Sequence, residues 1–192
     1  MIYKNVTLSS KHNYVWFRNP KVALTTVLNH LHKHTEVNYC TSSGRQNIYK
    51  KEKTYSIKDI FKFVFVRNPW DRLVSMYFDK NKNNSFLKPK NITTFEEFIL
   101  YLTKIDVSKC NPHYVLQTTR FSISDMDFVG RFENFNEDFD FVCEEINIPK
   151  NNLHRNKSEH ESYESYYNSK TRSLVDKIYQ RDIQILDYKF GG

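Results

Sequence analysis

The sequence predicts a three-layer α/β domain built on a central, mainly parallel sheet. Short runs of β-branched and aromatic residues alternate with stretches whose apolar residues recur every three to four positions, the pattern of strands alternating with helices. At 192 residues the chain is the length of one domain, 1–192, with a real core. Its 15 Phe and 13 Tyr against only 4 Gly exclude low complexity for most of its length.

Tyr14-Val15-Trp16-Phe17 reads as the first strand, and after Arg18-Asn19-Pro20-Lys21 the run VALTTVLNHLHKH reads as a helix. Residues 35–61 lack periodicity and hold the turn signal Thr41-Ser42-Ser43-Gly44; a loop with a short strand is expected there. Phe63-Val64-Phe65-Val66 is too short for a helix and reads as a buried strand. It breaks at Asn68-Pro69, because Pro cannot continue a ladder but suits a first helical turn. Trp70, Leu73, Val74 and Tyr77 then share one side of the following helix.

Residues 81–93 read as a polar loop. Thr94-Phe95-Glu96-Glu97 is a capping box opening a helix with Phe95, Phe98, Ile99 and Leu102 on one face. Cys110-Asn111-Pro112-His113-Tyr114 interrupts the pattern. Phe128-Val129-Gly130-Arg131-Phe132 reads as a further strand, and Asn134-Phe135-Asn136-Glu137 as a second capping box opening a helix over 135–147. The segment 169–188 carries Leu174, Ile178, Ile185 and Tyr188 on a helical stripe.

The plan strand, Arg-Asn-Pro, helix occurs twice, at 14–34 and 63–80. Ligands of such sheets sit beyond the carboxyl ends of the strands, where a helix N-terminus favours an anion. Arg67, at a strand end, and Ser75, two turns into the next helix, offer a guanidinium fork and a hydroxyl for a phosphate. In the upstream turn Lys21 stands where a P-loop lysine would, with the hydroxyls of Thr25 and Thr26 on the first helical turns. The loop has no glycine, which argues against a Walker-type cradle.

The order RNPxxRxxSxY at 67–77 resembles the 3′-phosphate segment of sulfotransferases that use 3′-phosphoadenosine 5′-phosphosulfate (PAPS). The longer run KFVFVRNPWDRLVSMYFDK is most similar to carbohydrate sulfotransferases of the chondroitin, dermatan and HNK-1 type. Pro20-Lys21-Val22-Ala23-Leu24-Thr25 resembles that family's 5′-phosphosulfate loop. DFVGRFENFNEDFDFV resembles its third segment, where Arg131 and Glu133 are the residues able to line a site. Leu153-His154-Arg155-Asn156-Lys157-Ser158 is similar to a basic element that commonly folds over the nucleotide. The resemblance implies a P-loop-NTPase-like fold and donor contacts from Pro20, Lys21, Val22, Ala23, Thr25, Thr26, Arg67, Ser75, Arg155 and Ser158. It also implies PAPS as co-substrate, no metal, and a hydroxyl acceptor, a saccharide first.

Sulfuryl transfer is an in-line displacement that needs charge stabilisation at the leaving oxygen and a base for the acceptor proton. Lys21 suits the first task. His113 is the expected base, with Glu36 in reserve and His30, His32 and His34 clustered at the end of the first helix. One alternative is a P-loop kinase or NTPase, which would want a glycine cradle and an acidic Mg²⁺ ligand. The other is a basic nucleic-acid-binding protein, which would want exposed aromatics among its basic residues.

The net charge of +7 favours an anionic partner, but much of it lies in Lys-Asn-rich stretches such as 80–84 and 88–91, so no nucleic-acid partner is expected. Cys40, Cys110 and Cys143 show neither metal spacing nor an even framework, which suggests reduced thiols. No apolar run reaches membrane-span length. Golgi members of the resembled family carry an N-terminal anchor and disulfides; the expectation here is a stand-alone cytoplasmic catalytic domain, unless such an anchor is missing.

Overall fold

A computed structural model describes residues 5–37, 39–40, 60–82, 91–150 and 161–192. Among them, β1 (Val6–Ser9), β2 (Tyr14–Phe17), β3 (Tyr39–Cys40), β4 (Phe61–Val66) and β5 (Phe128–Arg131) form one sheet in the order β3-β1-β2-β4-β5. The ladders β2–β4 and β4–β5 are parallel, and β1 is antiparallel to both its neighbours. Four of the five strands therefore run one way, the mainly parallel α/β sheet that the alternating pattern predicts. The helices are α1 (Leu24–His34), α2 (Pro69–Lys82), α3 (Phe95–Leu102), α4 (Phe135–Glu145), α5 (Ser169–Ile178) and α6 (Gln180–Ile185).

The chain forms two compact units. One, Met1–Val66 with Arg120–Arg155, holds the sheet, α1 and α4; the other, Arg67–Thr119 with Asn156–Gly192, holds α2, α3, α5 and α6.

In the sheet unit, β2 matches its expected bounds, and β1 is a strand that the sequence reading lacks. The reason is Thr7 and Ser9, both fully buried polar residues that erase the apolar signal. Tyr14 and Trp16 of β2 and Phe63 and Phe65 of β4 pack in one core with Val27 and Leu31 of α1 and Phe135, Phe139 and Val142 of α4. On the opposite face Val15, Phe17, Val64 and Val66 are equally buried. Both faces are covered, as a largely parallel sheet requires.

Gly130 lies beside Phe65 in the β4–β5 register. A Cβ there would stand 2.4 Å from Cε1 of Phe65, so only glycine lets this ring close the core. The second capping box does not form: Asn134 makes no side-chain cap, a 3₁₀ turn over Phe132–Asn134 precedes α4, and the helix ends at Glu145. Asp138 instead accepts the backbone N–H of Arg131.

In the second unit Pro69 is the first residue of α2, and Trp70, Leu73, Val74 and Tyr77 are buried as their spacing predicts. Tyr77 packs on Phe95 and Phe98 of α3, and Phe95 meets Tyr167 edge-on. The Thr94–Glu97 capping box is present. The segment 169–188 is two helices broken at Tyr179, and its buried residues are Thr171, Val175, Tyr179, Asp182, Leu186 and, as expected, Tyr188. Ile185, expected inside, is exposed. Two of those buried positions are polar, so a reading by hydrophobicity lands one residue off at Leu174, Ile178 and Ile185 and meets the buried set at Tyr188. Asp182 is tolerated there because its carboxylate accepts from the backbone N–H groups of Gln117 and Thr118 and from the Thr118 hydroxyl, at 2.7, 3.0 and 2.7 Å.

Candidate active site

Each of the three parallel strands ends at an arginine: Arg18 follows β2, Arg67 follows β4, and Arg131 closes β5. The loops after β2 and β4 begin with the same Arg-Asn-Pro and then diverge.

After β2, Asn19 is fully buried and its amide donates to the Phe65 carbonyl at 3.2 Å, locking the turn to the neighbouring strand. Lys21 has φ 73° and Ala23 φ 58°, both in the left-handed region. Non-glycine residues rarely adopt it, and when they do they cluster at functional sites. Alternating handedness turns successive N–H groups toward one concavity, the anion nest of phosphate loops. The left-handed backbone that such a loop usually takes from glycine is thus adopted here by Lys21 and Ala23.

Val22 between them is fully buried in the core and fastens the turn. Helix α1 opens with no side-chain cap and no acid in its first turn. Its positive end, reinforced by its first N–H groups, is the kind that takes an anion. Thr25 is exposed, while Pro20, Lys21, Ala23 and Thr26 are half-buried around it. The expected 5′-side residues Pro20, Lys21, Ala23, Thr25 and Thr26 lie on this turn and the start of α1, while the Val22 side chain is turned into the core.

After β4 the helix begins at once. The Asn68 side chain accepts the Trp70 N–H at 3.1 Å, and Asp71 sits in the first turn of α2. This N-terminus is already capped and already carries its negative charge, so the two turns are not built alike. The Asn68 amide also donates to the Tyr163 hydroxyl and to the carbonyls of Lys189 and Gly192, tying the chain's end to this turn. Arg67 is nearly buried, and its Nε and Nη2 donate to the two oxygens of Asp71. Ser75 is half-buried on the same helix.

Arg72, the middle arginine of the motif, is wholly buried. It donates through Nη1 to the Val115 carbonyl at 2.8 Å and through Nη2 to the Pro112 carbonyl at 3.2 Å. Burial lowers its pKa from the usual guanidinium value. Arg72 thereby holds the turn that carries His113, whose own N–H donates to the Asn111 side chain at 3.0 Å. Burial pushes the nearby Cys110 thiol up to about 11.

Among the reserve bases, His30 is buried and bonded through Nε2 to the Pro149 carbonyl at 2.8 Å, a structural role in the sheet unit. Glu36 is exposed. Arg155 and Ser158, most of the 35–61 segment and most of the 81–93 loop lie outside the described residues. Among the described residues Cys110 and Cys143 are unbridged, no cluster of His, Cys, Asp and Glu is able to hold a metal ion, and no helix is long and apolar enough to cross a membrane. The sequence reading assigned no role to Arg18, Arg120 or Asp71; the recurrence of arginine at strand ends was the available signal for the first.

The sequence profile of the sulfotransferase family matches residues 4–189. Carbohydrate sulfotransferase 11 of Mus musculus is 27% identical over 184 residues, covering 73% of this chain and 52% of that protein. Carbohydrate sulfotransferase 14 of Danio rerio is 26% identical over 123 residues, 52% of this chain and 34% of its own length. Carbohydrate sulfotransferase 8 of Homo sapiens is 28% identical over 134 residues, 56% and 30%. The chain thus spans about half the length of these relatives or less. A solved sulfotransferase from Alicyclobacillus acidocaldarius aligns with 74% of this chain and 60% of its own at 15% identity and a TM-score of 0.42. With all but a few terminal residues inside the matched region, the chain belongs to the sulfotransferase family.

Proposed function

We propose that the chain transfers the sulfuryl group of PAPS to a hydroxyl, with a carbohydrate as the acceptor class. The observation that carries this reading is the left-handed backbone at Lys21 and Ala23 in front of a helix with neither cap nor acid. Family membership selects sulfate as the group moved, and the names of the relatives favour a carbohydrate acceptor.

In this reaction the acceptor oxygen attacks sulfur, the bond from sulfur to the 5′-phosphate oxygen breaks, and the electron pair leaves with adenosine 3′,5′-bisphosphate. Lys21 and the N–H groups at the start of α1 would neutralise that oxygen as its charge grows. Arg67 and Ser75 would read the 3′-phosphate. Asp71 holds the Nε–Nη2 edge of Arg67 and would act as its positioning residue. His113 would take the acceptor proton. Arg155 and Ser158 remain assigned to the nucleotide by resemblance.

The test is mass-spectrometric detection of sulfated product from a panel of glycans incubated with the full chain and PAPS. The expected result is one sulfate gained per turnover, with stoichiometric adenosine 3′,5′-bisphosphate. No sulfated product and no binding of adenosine 3′,5′-bisphosphate would overturn the reading. Release of phosphate from ATP under the same conditions would favour the NTPase alternative.

A further inference from the structure

Arg18, at the carboxyl end of β2, is 9% exposed. Its backbone is held on both sides. The Arg18 N–H donates to the Asn5 carbonyl at 2.9 Å, and its carbonyl accepts from Nε and Nη2 of Arg120 at 3.3 and 3.2 Å. The Arg18 side chain is different: Nε and Nη2 are both buried and make no hydrogen bond among the described residues.

Those two atoms form the side-on edge of the guanidinium, a pair of parallel donors matched to two oxygens of one anion. Two other arginines show what such an edge takes. That of Arg67 grips the Asp71 carboxylate, and that of Arg120 grips a carbonyl. A buried guanidinium edge with neither counter-charge nor acceptor among the described residues is destabilising in itself, and its retention at this place points to a bound partner. Arg18 lies three residues before Lys21, and Asn19 between them is locked to β4, so it opens the same rigid turn as the anion nest.

We propose that Arg18 grips two non-bridging oxygens of the donor's 5′-phosphosulfate, as a further binding residue of the Lys21 turn. This rests on the sulfuryl-transfer reading above. The same two-oxygen chemistry is offered by an acidic group on the acceptor, and the arms of the experiment separate the two sources.

Arg18→Met and Arg18→Lys in the full chain are titrated by calorimetry with adenosine 3′,5′-bisphosphate and with adenosine 3′-monophosphate, which lacks the 5′ group. Steady-state kinetics with donor and acceptor varied in turn accompany the titrations. Arg18→Met is expected to weaken the bisphosphate by about ten- to a hundredfold, the range of a lost charge-assisted pair. The 3′-monophosphate should stay within about twofold. Arg18→Lys, a point charge without the fork, should recover part of the loss. Without ligand, Arg18→Met should melt at or above the wild type, because it removes an unpaired buried charge.

Equal loss for both nucleotides, or a lowered melting temperature, would show that Arg18 is structural and overturn the proposal. Unchanged bisphosphate affinity with a raised acceptor KM would place the anion on the acceptor and overturn the donor assignment. Wild type that binds neither nucleotide would bring down the sulfuryl-transfer reading and this inference with it. Wild type that binds both, with Arg18→Met unaffected, would remove Arg18 alone.

Discussion

The guanidinium of Arg67 lies side-on against the carboxylate of Asp71, Nε to Oδ2 at 2.7 Å and Nη2 to Oδ1 at 2.8 Å. With Arg67 4% exposed and Asp71 half-buried, this is a charge-assisted pair four residues apart in sequence. It fixes the fork at the end of β4 and occupies its side-on edge.

Arg67→Ala should therefore weaken adenosine 3′,5′-bisphosphate by about ten- to a hundredfold, while 5′-AMP, without the 3′-phosphate, binds wild type and variant alike. Asp71→Ala tests the positioning. It removes the carboxylate that holds the Nε–Nη2 edge of Arg67 and should lower stability by about 1–3 kcal/mol, and it should weaken the bisphosphate more than 5′-AMP. Calorimetry showing equal losses for the two nucleotides would remove Arg67 from the 3′-phosphate.

Lys21→Ala should lower kcat more than it raises the donor KM, because charge on the bridging oxygen develops during transfer. The half-buried lysine sits in the turn itself, so a melting curve must accompany the kinetics. An unchanged kcat would take Lys21 out of the chemistry and leave it a ground-state contact.

Ala23 holds φ 58° without the freedom of glycine, a strain on the order of 1 kcal/mol. At an ordinary exposed site Ala→Gly destabilises; here Ala23→Gly should be neutral or stabilising in urea unfolding, since strain relief offsets the added unfolded-state entropy. Ala23→Val should lose more than about 1 kcal/mol, because a β-branched residue resists this conformation. A clear loss in Ala23→Gly would mean that the backbone there is not left-handed.

The sheet was legible where burial and hydrophobicity coincide. Tyr14–Phe17 and Phe63–Val66 announce themselves as apolar runs, and Pro69 and the Thr94–Glu97 box mark helix starts by local chemistry. It was illegible where polar groups are buried against specific partners. Thr7 and Ser9 hide β1, and Asp182 and Thr171 shift the C-terminal stripe, because their hydrogen bonds come from residues distant in sequence or from capping geometry. At the candidate site the residue types of both turns could be read, but their conformations could not. The same Arg-Asn-Pro leads to a left-handed, uncapped turn after β2 and to a self-capped helix after β4. What separates them lies beyond the tripeptide: Val22 pulled into the core in one case, Asp71 paired with Arg67 in the other.

Gly130→Ala puts a Cβ within 2.4 Å of Cε1 and 2.6 Å of Cδ1 of Phe65. That ring packs against Phe63, Phe135 and Phe139 and has little room to move. Overpacking of this kind costs about 1–3 kcal/mol, and Gly130→Ala should lower the urea midpoint accordingly. Phe65→Leu combined with Gly130→Ala should recover part of the loss, since the pair shares one contact. A single variant as stable as wild type would show that β5 and the Phe65 ring shift apart without penalty.

His113 owes its place to Arg72, whose two donors hold the carbonyls on either side of it, at Pro112 and Val115. If His113 takes the acceptor proton, His113→Ala should cost about 10²–10⁴ in kcat, the range of a positioned base, with donor KM intact. Arg72→Met leaves both carbonyls without their donor and loosens the turn, so it should lower kcat through His113 rather than independently. The double variant should then be no slower than His113→Ala alone, because residues acting as a unit are not additive. Strict multiplication of the two losses would mean that Arg72 supports the fold and not the base. A stable His113→Ala with normal turnover would end its candidacy and pass the role to Glu36, His32 or His34, since His30 is already committed to the Pro149 carbonyl.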